Sequence, residues 1–348
     1  MKKIIVRIED VIDARCIHGV IDSLIPESFK KMVPENKPSP YFKFTIKDFN
    51  PDKILNSVNE SMKTHGWHGF LPHHIDSTGS NTDRSKYYGG FSISYNPTIA
   101  YPVPEHASAM GEPKVNLNNF FRSDEGRKVW LDLELRKLTP KFYEICFEQG
   151  LEAVKEFLLK ENIITDTGHY DWLGDTTPTK RIQKNGYFDT YGFRKLTQAA
   201  NSGALGDFLR NQFVRSLVRS RVAIIDARNW FPKMKDYMWH YDEPLYLNLR
   251  INIPLSTTPN YVCEVKDCGT YSLDPGYGYC WDTTIVHRVY AKAPENSTRT
   301  NLVIGSSPWF DYDAEQDAYV SNEFYGEMHP FDMLASGHIV KDIKIIND

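Results

Sequence analysis

The sequence predicts a mainly β protein with flanking helices (α+β), organised on an antiparallel sandwich or barrel, with jelly-roll topology prominent among the options. Three observations carry this expectation. From Arg221 onward, short strand-like runs follow one another with turn residues between them and no intervening helical period. Before Arg221, apolar residues recur instead at helical spacing in several stretches. Hydrophobic residues make up 41% and charged residues 25% of the chain, globular averages that support a sizeable core and exclude wholesale disorder. The 348 residues are read as one domain, with 1–220 a helical and strand scaffold bearing substrate-facing loops and 221–325 the strand-rich core.

Taken in order, residues 3–8 alternate weakly and suit a short strand, and 26–40 form a proline-rich loop. Residues 41–46 (YFKFTI) alternate apolar and polar, as a half-buried strand does. Asn50 then caps a helix with Pro51 at its first position; Ile54, Leu55, Val58 and Met62 share one face, and the helix ends near Gly66. The following text, THGWHGFLPHHID, holds His65, His68, His73, His74 and Asp76. Two glycines and a proline interrupt any shared register there, so it reads as a histidine-rich polar loop rather than a rival metal cluster. Residues 77–86 are turn-rich, and YYGGFSISYNP is a strand with a glycine kink.

A long helix is expected from Thr139 to about Glu161, with Phe142, Ile145, Leu151, Val154 and Leu158 on its apolar side. Residues 185–192 (NGYFDTYG) are a loop dense in aromatic and hydrogen-bonding groups. A second amphipathic helix is expected over 203–219, facing Leu205, Phe208, Leu209, Phe213 and Leu217 inward and leaving Arg210, Arg215 and Arg219 solvated or ion-paired. Eight strand-like runs then follow: RVAIIDA, YMWHYD, LYLNLRINIPL, YVCEV, GTYSL, GYGYCW, TIVHRVYA and RTNLVIGSSPW.

A formal net charge of −4 supplies no global field toward nucleic acid or an anionic membrane. The five cysteines (Cys16, Cys146, Cys263, Cys268, Cys280) are odd in number and scattered, which argues for free thiols in a reducing compartment. The N-terminal text has no secretory apolar region and no run reaches membrane-spanning length, so a cytoplasmic protein that engages no membrane is expected. Walker A, dinucleotide-binding and nucleophile-elbow patterns are missing from the text. Oligomeric state is not written in it.

The chemistry concentrates between Trp239 and Trp309. In a strand, residues i and i+2 point to one face, so His240 and Asp242 of WHYD aim together while Tyr241 faces away. His287 lies on a different strand-like run that a barrel can bring beside the first. Two imidazoles and one carboxylate then hold one face of a metal and leave the opposite positions open, as in non-haem Fe(II) oxygenases. Arg299, on the next run, can reach into a dry barrel and grip a carboxylate through two parallel hydrogen bonds. Asn248, Arg250 and Asn252 alternate along LNLRIN and share a face, so Arg250 and Asn252 are candidate cofactor-binding residues; sequence alone does not fix which parity faces in. Trp239, Tyr271, Tyr279 and Trp281 are aromatic candidates for the pocket that read first as barrel filling, and Asp282 is a turn cap or a neighbour of the ligands.

His240-x-Asp242, His287 and Arg299, together with LRINIPL and RTNLVIG, resemble the Fe(II)/2-oxoglutarate-dependent dioxygenases, in particular their aspartyl/asparaginyl hydroxylase-like and phage-type members. The resemblance covers about residues 221–310. It implies a double-stranded β-helix (jelly-roll, cupin-like) core over 221–325, with His240, Asp242 and His287 as iron ligands and Arg299 as the partner of the C5 carboxylate of 2-oxoglutarate, and with O2 as the second cosubstrate and succinate and CO2 as co-products. Many relatives carry Arg-x-Ser at the anchor, whereas Asn301 takes the serine's place here. The presence of Asp242 disfavours the halogenating variants. The expected activity is hydroxylation of an unactivated C–H bond in an amino-acid side chain, free or in a peptide. The alternatives are the same chemistry on a nucleobase or other small molecule, which the charge disfavours, and a non-catalytic metal-binding jelly-roll module.

Overall fold

Eight antiparallel strands form the main sheet, in the order Ile343–Ile346, Phe42–Ile46, Tyr277–Cys280, Leu249–Ser256, Thr298–Ser306, Arg221–Asp226, Tyr88–Ser92 and His68–Gly69. A second antiparallel sheet holds Gly269–Tyr271, Tyr261–Val265 and His287–Ala291. The computed structural model describes residues 3–11, 17–69, 84–98, 103–107, 115–116, 123–165, 174–175, 189–232 and 234–346. The protein is thus mainly β with flanking helices (α+β), and residues of both sheets line one cavity between them. The main sheet draws three strands from before residue 221 and one from after 325, so the scaffold and core of the sequence reading share a single sheet.

The two-residue period sorts the main sheet's faces. Leu249, Ile251, Ile253 and Leu255 join Val222, Ile224, Leu302 and Ile304 in the large core, while Arg250, Asn252, Ala223, Ile225, Asn301 and Val303 turn the other way and line the cavity. Both faces are therefore covered, which explains why LRINIPL reads as a nearly unbroken buried run. Burying each large aliphatic side chain contributes about 1.5–3 kcal/mol.

Behind the core face lie the helices Pro51–His65 and Gly203–Gln212, which supply Ile54, Val58, Leu205 and Phe208. The first begins and ends as expected: Asn50 Oδ1 accepts the Lys53 amide at 2.9 Å, and Gly66, at φ 80°, stops it.

Three expectations are corrected. The helix expected over 139–161 is two, Thr139–Glu148 and Leu151–Lys160, parted at Gly150, whose φ of 96° breaks the helical path. The helix expected over 203–219 stops at Gln212, because Phe213 pairs with Val340 and Leu217 with Ser306, so strand pairing captures the chain first. The strand expected at YMWHYD does not form: a short Met234–Tyr237 helix runs into its first residue, and a single bridge at His240 follows.

Cys146, Cys263, Cys268 and Cys280 are free thiols, and Cys16 lies outside the described residues. Residues 70–83 and 185–188, which include His73, His74 and Asp76, also lie outside them. Among the described residues no helix is long and apolar enough to cross a membrane.

Candidate metal and anion site

His240 and His287 face one another across a two-bond antiparallel bridge: each amide donates to the other's carbonyl, at 3.0 and 2.8 Å. The His240 stretch thereby runs beside the edge of the second sheet. Two residues on, the Asp242 amide donates to the Thr283 carbonyl at 2.8 Å, tying the ribbon to the segment that leads into His287. His240 and Asp242 come together as the alternation argument requires, although one bridge rather than a full strand holds them.

Ligand atoms of His240, Asp242 and His287 lie within 4.8 Å of one another, and this is the single such group of three or more histidine, cysteine or acidic side chains among the described residues. His240 is exposed, Asp242 half-buried and His287 buried, so the group sits at the cavity's mouth with one side open. Each imidazole is held from behind in the same way. His240 Nδ1 meets the Met238 carbonyl at 2.7 Å and His287 Nδ1 meets the Ile285 carbonyl at 2.8 Å. A carbonyl only accepts, so both Nδ1 atoms carry a proton, and in the neutral ring it is Nε2 that offers the lone pair. Backbone or carboxylate partners at the far ring nitrogen are what metal-binding histidines ordinarily have. The Trp281 ring stands edge-on to His287 at 5.5 Å and limits its rotation.

The electrostatics suit a cation. Burial, and then His240, lower the His287 pKa to about 4, so the ring is neutral at neutral pH and its lone pair is available. Burial opposes charge on Asp242, but Arg250 and His240 outweigh it and hold the carboxyl below the usual carboxylate range. The donor set of two imidazoles and one ionised carboxylate therefore fits a divalent transition metal.

Deeper in the cavity stands Arg299, buried at 4% exposure. It pairs with no acidic side chain among the described residues, and its Nη2 is buried without a hydrogen-bond partner. Burial pushes its pKa down, which Cys263 and Tyr88 counter, yet a guanidinium stays cationic at neutral pH. A buried charge without a partner is costly, so its cavity is chemically prepared for an anion. Asn301 supplies another buried orphan, Oδ1, while its Nδ2 donates to Asn252 Oδ1 at 2.9 Å.

Arg250 and Asn252 also line the cavity, which settles the parity that the sequence left open. Arg250 is already engaged: Nη2 donates to Glu243 Oε2 at 2.9 Å, and Nη1 lies 3.4 Å from Asp242 Oδ2. Asp282 caps its own turn by accepting from the Thr284 amide and hydroxyl. Glu243 was missed by the sequence reading, because an acidic residue after the HxD pair resembles ordinary solvated charge and its partner seven residues on follows no short-range pattern. Arg210 pairs with Asp207, Arg215 with Asp311 and Glu323, and Arg219 with Glu243.

No protein-family model matches this chain, and no curated protein matches it at a significant level.

Proposed function

We propose that this chain is an Fe(II)- and 2-oxoglutarate-dependent oxygenase that hydroxylates an unactivated C–H bond, with an amino-acid side chain, free or in a peptide, as its substrate class. The observation that carries the reading is a pairing within one cavity: a His-Asp-His group at the mouth and, behind it, a buried Arg299 with no acidic partner among the described residues. In this reading the two sheets are the walls of a double-stranded β-helix. His240, Asp242 and His287 would hold the iron, and Arg299 would pair with the C5 carboxylate of 2-oxoglutarate.

Iron and 2-oxoglutarate, once bound, supply O2 activation coupled to decarboxylation, with succinate and CO2 as co-products. The chain's own part is placement and shielding. The Met238 and Ile285 carbonyls fix both imidazole tautomers, so in the neutral rings no proton has to leave a nitrogen for it to act as a ligand. Ile225, Val289 and Val303 line the cavity with apolar surface, which thins the water around Arg299 and strengthens its hold on an anion. Asn252 and Asn301 brace each other beside it and present polar edges for orientation.

The test is succinate formation by the purified protein supplied with Fe(II), 2-oxoglutarate and O2, screened against amino acids, peptides and nucleosides. Turnover with an amino acid or peptide supports the reading. Turnover with nucleosides alone moves the substrate class, and the absence of both succinate and any metal-dependent rise in Tm refutes the reading.

A further inference from the structure

Behind the candidate ligands lies a buried set of charges that the proposed chemistry does not use. Glu243, at 1% exposure, receives four side chains. Thr190 Oγ1 donates to its Oε1, Arg219 Nη1 donates to Oε1 at 3.1 Å, Asn248 Nδ2 donates to Oε2 at 3.3 Å, and Arg250 Nη2 donates to Oε2 at 2.9 Å. Thr190 in turn belongs to a short helical turn capped by Asp189, whose carboxylate accepts the Ile17 and His18 amides. Glu243 is thus fixed from the scaffold side and does not float beside the ribbon.

The two carboxylates that flank Arg250 are treated unequally. Glu243 takes a full hydrogen bond, whereas Asp242 is kept at 3.4 Å, and Arg250 Nη1, the atom nearest to it, forms no hydrogen bond at all. A buried guanidinium with one carboxylate in reach closes on it, and a carboxylate so captured makes a poor metal ligand.

We propose that Glu243 is a positioning residue that acts through Arg250: it anchors the guanidinium and so keeps the Asp242 carboxylate free to ligate a divalent metal. The inference rests on the metal-site reading above and deepens it. Neutralising Glu243 releases Arg250 onto Asp242; removing Arg250 as well takes the competitor away.

The experiment titrates Mn(II) alone, without 2-oxoglutarate, into full-length protein and follows free Mn(II) by electron paramagnetic resonance, with Tm recorded for each variant. Glu243→Gln is expected to weaken Mn(II) binding by about 10- to 100-fold, the usual effect of losing a group that supports a ligand. Adding Arg250→Met to it should restore most of the affinity. Arg250→Met alone, which serves if Glu243→Gln does not fold, should bind Mn(II) at least as tightly as the parent. Unchanged affinity in Glu243→Gln overturns the proposal, and so does a tenfold loss in Arg250→Met, which would make Arg250 a support for Asp242 instead of a competitor. If the parent protein itself binds no Mn(II), it is the metal-site reading that fails.

Discussion

Two histidine pairs in this protein have the same spacing and different chemistry. The His240 and His287 ring centroids lie 4.4 Å apart with planes at 53°; those of His68 and His106 also lie 4.4 Å apart, at 13°, stacked face to face. The first pair adds Asp242, and both of its Nδ1 atoms are held by carbonyls, which in the neutral rings leaves two lone pairs beside a carboxylate. In the second pair His106 spends Nε2 on the His65 carbonyl at 3.1 Å, and its buried neighbour Glu105 accepts the Ala199 amide. Nearness of imidazoles is therefore not chelation. What separates the pairs is whether a carboxylate converges on the rings, as Asp242 does at the first pair and no acidic side chain among the described residues does at the second.

The sharpest way to break this comparison is to remove one ring from each pair. His240→Ala is expected to abolish both Mn(II) binding and succinate formation, whereas His68→Ala should keep both near the parent's values. Calorimetry of metal binding alongside a succinate assay reads the two. Succinate output from His240→Ala equal to the parent's would refute the site assignment, and a loss of metal in His68→Ala would extend the site to the second pair.

A smaller effect separates the two buried guanidiniums. Arg250 is spoken for by Glu243, whereas Arg299 has no acidic partner among the described residues. Arg299→Ala is expected to weaken 2-oxoglutarate binding by about 3 kcal/mol, roughly 100-fold in Kd, as fits the loss of charge-assisted hydrogen bonds. Mn(II) affinity should barely move. Equal 2-oxoglutarate affinity in parent and variant would remove Arg299 from its assigned role.

The same comparison marks what the sequence could carry. That His240, Asp242, His287 and Arg299 converge on one cavity was legible because local alternation and order along the chain constrain direction there. Seven of the eight expected strands after Arg221 formed; YMWHYD did not, because the helical turn at Met234–Tyr237 runs into its first residue and a single bridge at His240 is the pairing that follows. The break at Gly150 and the early stop at Gln212 depended on a backbone angle and on strand pairing with distant residues, Val340 and Ser306, that no local pattern contains. Glu243 was illegible for the same reason. Its meaning comes from Thr190, Arg219 and Arg250, which only the folded chain assembles.

The gentlest distinction is one of pH. Burial, and then His106, lower the His68 pKa to about 4, below the ordinary value of 6.5. Between these values the unfolded chain binds a proton at this position and the folded chain does not, so stability rises with pH across that window. The contribution is fully present above about 6.5 and is lost progressively as pH falls toward about 4. His106, also lowered chiefly by burial, pulls the same way. His68→Gln, which cannot titrate, should therefore flatten the fall in stability between pH 7 and pH 5, measured as the shift in urea midpoint, while leaving metal binding untouched. A midpoint that falls as steeply in His68→Gln as in the parent would mean that the stacked pair is not where the protons enter.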